Sequence, residues 1–154
     1  MKKKAIIIDL DGTLCNNEHR QHFMTGPKKD WKNFYYNIPW DKPNEWCLEI
    51  VNKFIEAGYF ILFVTGREFK QCIKLDTLRW LRDHDLKPKE DSNIQIFARK
   101  EGDFRSDDIV KKEIYFDNIA SQYEILFALD DRKRVVEMWR SIGLTCLQCA
   151  EGNF

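Results

Sequence analysis

Residues 2–14 read KKKAIIIDLDGTL, and this stretch places a short apolar run directly before two aspartates. The run from Ala5 to Ile8 predicts a buried parallel strand, because continuous apolar residues are typical of strands covered on both faces. Asp9 and Asp11 follow at once, although carboxylates resist burial. A strand that ends in two carboxylates indicates a polar site at one edge of a sheet.

Four further apolar runs predict strands in the rest of the chain: YFILFVTG at 59–66, IQIFA at 94–98, YEILFALDD at 123–131 and LTCLQCA at 144–150. Helical patterns lie between them, and two of these end at Gly58 and Gly143. Alternating strands and helices predict an α/β fold, a doubly wound, Rossmann-like parallel sheet with helices on both faces. We expect one domain over residues 1–154.

The span from Cys15 to Trp46 departs from this alternation. It is polar and aromatic, and its aromatic residues follow no helical or strand period. We expect a loop-rich insertion over 15–46 with one short helix. It could be a lid over the site, or its aromatic residues could simply pin it to the body of the domain.

Composition limits the location and partners of the protein. Lys plus Arg and Asp plus Glu both number 25, so no global basic field indicates nucleic acid. No apolar run is long enough for an export signal or a membrane span. Five cysteines suit reduced thiols in a cytoplasmic protein. Cys146 and Cys149 form a CxxC, but in a strand this spacing places their side chains on opposite faces.

Three predicted strand ends carry polar residues that could form one site. Asp9 and Asp11 follow the first strand, Thr65, Gly66 and Arg67 follow a second, and Asp130 and Asp131 follow a third. Ligands bind at the carboxyl ends of the strands in doubly wound sheets. Clustered carboxylates require a cation, and hard oxygen ligands suit Mg²⁺. The alternative is a purely structural role, in which each aspartate only caps a turn.

Such a site predicts phosphoryl transfer through an aspartyl-phosphate. One carboxylate can act as nucleophile and a second as general acid and base. A bound phosphoryl group would be neutralised by Arg67, Thr65 and a lysine. Lys111 is a candidate, although its KKE context also suits the outer face of a helix. A pair with Asp107, one turn earlier, could steer it inward.

The motifs DLDGTL, VTGR and ALDD, in this order, resemble those of the haloacid dehalogenase superfamily of phosphohydrolases. The resemblance implies that Asp9 is the nucleophile and that Asp11 is the acid/base, giving its backbone carbonyl to Mg²⁺. It also implies that Asp130 and Asp131 hold the metal, which makes the metal set Asp9, Asp11, Asp130 and Asp131.

The second half of the chain, residues 101–120 and 129–154, resembles the 3'-phosphatase domains of phage polynucleotide kinase-phosphatases. This resemblance implies Lys111 as the catalytic lysine and Asp107 as its acidic partner. Arg20 lies as far beyond Asp9 as that family places a substrate arginine, so it would face the phosphate. The resemblance covers about 1–20 and 58–154, and the chain keeps a hydroxyl at Thr65 where the phage domains have serine.

The predicted function is that of a Mg²⁺-dependent 3'-phosphatase acting on 3'-phosphorylated DNA or RNA ends or on nucleotides, as in nucleic-acid repair. No GxxxxGK[ST] loop occurs in the sequence, so we expect no kinase activity by that route. Two alternatives stay open. One is a small-molecule phosphatase or nucleotidase, and the other is a non-catalytic module that binds a phosphorylated ligand.

Overall fold

The computed structural model describes residues 1–152. The elements in chain order are β1 Lys3–Ile8, β2 Cys15–Asn16, α1 Glu18–Gln21, α2 Trp31–Tyr36, β3 Lys42–Pro43, α3 Glu45–Glu56, β4 Phe60–Glu68, α4 Gln71–Asp83, β5 Ile94–Arg99, α5 Asp107–Ile114, β6 Tyr123–Arg132, α6 Lys133–Ser141 and β7 Cys146–Gly152. All five predicted strands are present, and the helical patterns that end at Gly58 and Gly143 form α3 and α6.

Five strands form one parallel sheet in the order β5-β4-β1-β6-β7. β1 is central and pairs with β4 and with β6, with Ile8 opposite both Phe63 and Leu129. This register brings the carboxyl ends of the three strands to one edge of the sheet. The residues that follow Ile8, Val64 and Leu129 therefore meet there, as the sequence predicts.

Two apolar layers cover the sheet. Ile6 and Ile8 pack with Val51 of α3 and Leu81 of α4 on one face. Ile7 faces the other side and packs with residues such as Trp139 of α6. A continuous apolar strand is needed because both of its faces are buried, so the prediction of a doubly wound α/β fold is confirmed.

The CxxC cysteines lie on opposite sides of β7. Cys146 belongs to the layer that contains Ile7, whereas Cys149 packs against the layer that contains Ile6. All five cysteines are free thiols. Among residues 1–152, no helix combines the length and apolar character that crossing a membrane would need.

The insertion is more ordered than expected. It contains two short α-helices, α1 and α2, rather than one. It also has 3₁₀ turns at 22–24 and 38–40, and β2 pairs antiparallel with β3. Ile38 is fully buried, and Trp80 donates to the Asp41 carbonyl at 2.8 Å. These contacts fix the insertion to the body of the domain.

Candidate active site

Asp9 is the first residue after β1, and both of its carboxylate oxygens have partners. Its main-chain N–H donates to the Leu129 carbonyl at 3.0 Å, so the end of β6 holds the residue in place. Thr13 Oγ1 donates to Asp9 Oδ2 at 3.0 Å, and Lys111 Nζ donates to Asp9 Oδ1 at 2.8 Å. Thr13 was not predicted as a site residue, although its position in DLDGTL is a usable signal.

Lys111 lies on the buried face of α5 and connects two strand ends. Its Nζ donates to Asp9 Oδ1 and to Asp130 Oδ2, each at 2.8 Å. Burial disfavours the charged amine, but the carboxylates of Asp130 and Asp9 outweigh burial and raise the pKa of Lys111 above its usual range. The alternative placement of Lys111 on the outer face of the helix is therefore wrong.

Asp9, Asp130 and Asp131 form a buried acidic cluster, in which one oxygen from each residue lies within 4.8 Å of the others. Burial and the charge of Asp130 raise the pKa of Asp9 well above its ordinary value. The same two causes raise the pKa of Asp131 to about 6. Carboxylates packed this closely favour either a proton or a cation, and their hard oxygen donors fit Mg²⁺.

Gly12 allows the Asp131 carboxylate to approach the loop that follows Asp9. A Cβ added at Gly12 would lie 2.8 Å from Asp131 Cγ, and φ at this position is +81°. Any other residue would both displace Asp131 and strain the backbone. The glycine of DLDGTL therefore has a structural role in closing the acidic cluster.

The Asp11 side chain pairs with two arginines. Arg67 donates from Nε to Asp11 Oδ2 at 3.0 Å and from Nη2 to Oδ1 at 2.7 Å, and Arg20 Nη2 also pairs with Oδ1. Burial opposes ionisation, but Arg67 and Arg20 outweigh it and hold the pKa of Asp11 below its usual range. Among residues 1–152 the Asp11 carboxylate is not in the acidic cluster, so the predicted metal contact would come from its backbone carbonyl.

Arg20 is buried against the insertion. It donates to Asp41 from Nε at 2.7 Å and from Nη2 at 2.6 Å, and the Phe34 ring centroid lies 4.5 Å from its guanidinium carbon. His19 Nε2 lies 2.7 Å from the same Asp41 carboxylate. Asp41 was not predicted as a site residue, since no motif marks it. Arg20 reaches the site through Asp11, and its role toward a phosphate stays a prediction.

Thr65 and Gly66 lie at the end of β4 beside the clustered charges. Thr65 is buried, and its Oγ1 accepts a hydrogen bond from the Arg67 N–H at 3.1 Å. A Cβ added at Gly66 would lie 2.7 Å from Asp107 Oδ1. The backbone of the VTGR motif therefore approaches the Asp107 carboxylate so closely that a larger residue at Gly66 would displace that side chain.

Asp107 begins α5 and pairs with arginines from two strands. Arg99 Nη2 binds Asp107 Oδ1, and Arg132 Nη1 donates to Oδ2 at 2.6 Å. Among residues 1–152 no ion pair joins Asp107 to Lys111, so the predicted i,i+4 pair is wrong, and Asp107 acts on that lysine only through its charge. Arg99 and Arg132 were missed because their roles depend on α5 packing beside β5 and β6.

The geometry is that of a haloacid dehalogenase-like fold. The chain resembles the class C acid phosphatase from Bacillus anthracis with tungstate bound, with a TM-score of 0.64 and 17% identity. The match covers 88% of this chain and 54% of that one, and at this identity it shows the fold alone. The five-stranded parallel sheet and its acidic edge thus define the class.

Residues 3–154 match the family described as the polynucleotide kinase PNKP phosphatase domain, and the chain belongs to this family. A solved structure of a Pnkp1/Rnl/Hen1 complex is 30% identical, with a TM-score of 0.78 and coverage of 99% of this chain and 48% of that chain. A structure of the Pnkp1/Rnl/Hen1 RNA repair complex matches with a TM-score of 0.77 and 30% identity, covering 99% of this chain and 44% of that chain.

A protein of Autographa californica nuclear polyhedrosis virus, whose name joins polynucleotide kinase with RNA ligase, is also similar. It is 23% identical over 146 residues, which are 92% of this chain and 18% of that protein. The chain therefore spans less than half the length of these relatives. The similarity is to the phosphatase part of polynucleotide kinase-phosphatases, which is of the haloacid dehalogenase type.

Proposed function

We propose that the protein is a Mg²⁺-dependent 3'-phosphatase that acts on polynucleotide ends or nucleotides. The observation that carries the proposal is the buried contact of Asp9 with Lys111, beside Asp130 and Asp131, at the carboxyl edge of the sheet. A carboxylate so placed can attack phosphorus while a cation neutralises the developing charge. Family membership supports the same chemistry.

In the first step, an Asp9 carboxylate oxygen attacks phosphorus in line with the ester oxygen. The bond between phosphorus and that oxygen breaks, and the leaving alcohol takes a proton from Asp11. The product is an aspartyl-phosphate on Asp9. Thr13 and Lys111, which bind the two Asp9 oxygens, orient the nucleophile.

In the second step, water attacks the phosphorus of the aspartyl-phosphate. Asp11 accepts a proton from the water, the bond between phosphorus and Asp9 breaks, and inorganic phosphate leaves. Arg67 and Arg20 keep Asp11 ionised, which suits this basic role. For the first step, we propose that the substrate enters as a phosphate monoanion, whose second pKa is about 6. Asp11 would relay the proton of the substrate to the leaving oxygen in one concerted transfer, because its lowered pKa disfavours a resting protonated acid.

Asp9, Asp130, Asp131 and the backbone carbonyl of Asp11 would hold the metal. When bound, Mg²⁺ would neutralise charge on the phosphoryl oxygens. Lys111, Thr65 and Gly66 are the proposed phosphate ligands. Because Arg67 and Arg20 bind Asp11, direct contact with a phosphate would require each of them to exchange a partner.

The proposed substrate is a 3'-phosphorylated strand end, since the similar structures include an RNA repair complex and the family is that of a polynucleotide enzyme. A small-molecule phosphatase is the alternative. Phosphate release should be compared for a 3'-phosphorylated oligonucleotide, a nucleoside 3'-monophosphate and p-nitrophenyl phosphate. We expect kcat/KM to be at least about a hundredfold higher for the oligonucleotide, which is about 2.7 kcal/mol of transition-state binding.

The same assay tests the nucleophile. Asp9→Asn should abolish turnover of all three substrates while the far-UV and near-UV circular dichroism stay native. Asp117→Asn is the matched control, because Asp117 is exposed and lies in the turn before β6, at the opposite edge of the sheet. Turnover by Asp9→Asn would refute the proposed mechanism, and equal rates on all three substrates would favour the small-molecule alternative.

A further inference from the structure

The insertion exposes a group of aromatic side chains beside the site, and none of them has a role in the mechanism above. Trp31, Tyr36 and Trp40 are 50%, 67% and 61% exposed. Together with the half-buried Tyr35 they are called the aromatic face here. The insertion was predicted either to form a lid or to be pinned to the body by its aromatic residues, but Ile38 and Asp41 make anchoring contacts.

The aromatic face is continuous with the catalytic residues through α2. The Phe34 carbonyl accepts a hydrogen bond from Arg20 Nη1 at 3.4 Å, and Arg20 binds Asp11. Tyr35 is the next residue along α2. Burial and the nearby carboxylates of Asp11 and Asp107 raise the pKa of its hydroxyl to about 12. Tyr35 therefore marks the end of the aromatic face nearest to the site.

Trp31 extends the face away from the site. Its ring stacks on Tyr35, with centroids 5.8 Å apart and planes inclined by 22°. Half of the Trp31 surface is exposed, so part of the ring is available to a ligand. Tyr36 and Trp40 form a second exposed pair, with centroids 6.0 Å apart.

Exposed lysines alternate with these rings along the insertion: Lys28, Lys29, Lys32 and Lys42. Lys29 Nζ lies 5.7 Å from the Trp31 ring centroid. Between residues 28 and 42 these four lysines outnumber the two aspartates, and one of the two, Asp41, is buried with Arg20. The face is therefore aromatic and cationic, although the chain as a whole has no net charge.

We propose that the aromatic face binds the single-stranded polynucleotide whose 3'-phosphate enters the site, with a base stacked on Trp31 and the backbone phosphates near the lysines. This inference rests on the proposed function for the orientation of the strand. Stacking platforms with interleaved cations are the general means of binding single strands without regard to sequence. The cationic side chains also oppose burial of this face against a second copy of the chain.

The test is binding of a single-stranded oligonucleotide with a 3'-hydroxyl end, followed by fluorescence anisotropy, because this strand is not turned over. Trp31→Ala should raise Kd about tenfold, within the range of about 5 to 150 that loss of one stacked base implies. Trp31→Phe should restore most of the affinity. Phe116→Ala is the control, since Phe116 is 55% exposed at the opposite edge of the sheet. The Kd of this variant for the oligonucleotide should equal that of the wild type.

The salt dependence of binding tests the lysines. Lys29→Gln should reduce the slope of log K against log[salt] by about 0.7, the value for one phosphate contact on a single strand. Lys53→Gln, an exposed lysine of α3, should leave the slope unchanged. An unchanged Kd in Trp31→Ala overturns the inference. It is also overturned if sedimentation shows that the wild type is a dimer and that Trp31→Ala is a monomer, because the aromatic face would then bind a second copy of the chain.

The outcomes separate the inference from the proposed function. If Trp31→Ala loses affinity for the strand but the wild type releases no phosphate, strand binding by the aromatic face is supported and the proposed reaction is refuted. If the wild type hydrolyses the 3'-phosphate and Trp31→Ala binds the strand as well as Phe116→Ala does, the reaction stands and the aromatic face is overturned.

Discussion

Arg67 binds Asp11 through two nitrogens, with Nε 3.0 Å from Oδ2 and Nη2 2.7 Å from Oδ1. The Arg67 side chain is 1% exposed and the Asp11 side chain 24% exposed, so the pair lies at the boundary between the core and the site. A paired, partly open carboxylate can exchange protons with a ligand while its arginine stays fixed. The pair therefore couples the chemistry of Asp11 to the stability of the fold.

Asp11→Asn should reduce turnover of an alkyl phosphate ester about 10²- to 10⁴-fold, the usual contribution of a general acid and base. The loss on p-nitrophenyl phosphate should be smaller, because its leaving group needs no proton. Steady-state kcat/KM on both substrates checks this difference, because it reports the first phosphoryl transfer and not the later hydrolysis that both substrates share. An equal loss on both would contradict a role for Asp11 as the acid.

The same variant should lower the free energy of unfolding by about 3 kcal/mol, because two buried guanidinium groups lose the charge of one of their carboxylate partners. Asp76→Asn is the matched control. The Asp76 side chain is 25% exposed, but its pair with Arg79 has a long contact of 3.8 Å on a helix surface. Urea unfolding of the control should change by less than about 1 kcal/mol.

Asp41→Asn should reduce both stability and turnover, although Asp41 belongs to the insertion. The substitution removes the charge that holds Arg20 against Asp11. We expect a loss of about 3 kcal/mol in urea unfolding, as for other broken buried pairs. Asp30→Asn, in the same insertion, should be nearly neutral, because Asn also caps helices well. Equal stability of the two variants would contradict the role of Asp41.

Lys111→Met should make folding stability strongly dependent on pH. Without the amine, Asp9 is buried beside Asp130 without a cation, so the pKa of Asp9 rises further and the folded chain binds a proton that the unfolded chain does not. The melting temperature of the variant should therefore rise as pH falls from neutral toward the ordinary carboxyl range. The control Lys112→Met, at the next and exposed position, should follow the wild-type curve.

Mg²⁺ should raise the melting temperature, and protons should compete with it. Metal binding requires ionised carboxylates, and the pKa of Asp131 is raised to about 6 by burial and by Asp130. The apparent Mg²⁺ affinity should hence weaken as pH falls below about 6. Thermal unfolding across a Mg²⁺ titration measures this, with Asp131→Asn as the variant that should lose most of the shift.

Gly66→Ala should disturb the site strongly, although it adds only one methyl group. The added Cβ would lie 2.7 Å from Asp107 Oδ1, so Asp107 and its pairs with Arg99 and Arg132 must shift. We expect a large loss of kcat/KM. At Gly26 the closest atom to an added Cβ is 3.7 Å away, so Gly26→Ala is the control and should be active.

The sequence by itself determined the fold and the residues at the strand ends. Short continuous apolar runs are typical of strands buried on both faces, and their alternation with helical patterns indicates a parallel sheet. Because parallel strands end at one edge, Asp9, Asp130 and Asp131 were expected at the same edge of the sheet, and the pairing of β1 with β6 brings them together. These predictions depend on local patterns, which a sequence displays directly.

Only the tertiary structure decided how the charges are paired. Asp107 lies one turn from Lys111 along α5, yet it binds Arg99 and Arg132, because the neighbouring strands bring guanidinium groups nearer than the lysine amine. Asp41 reaches Arg20 from an insertion without a recognisable period. Ion pairs between distant segments depend on distances of a few ångströms, which spacing along the chain does not encode.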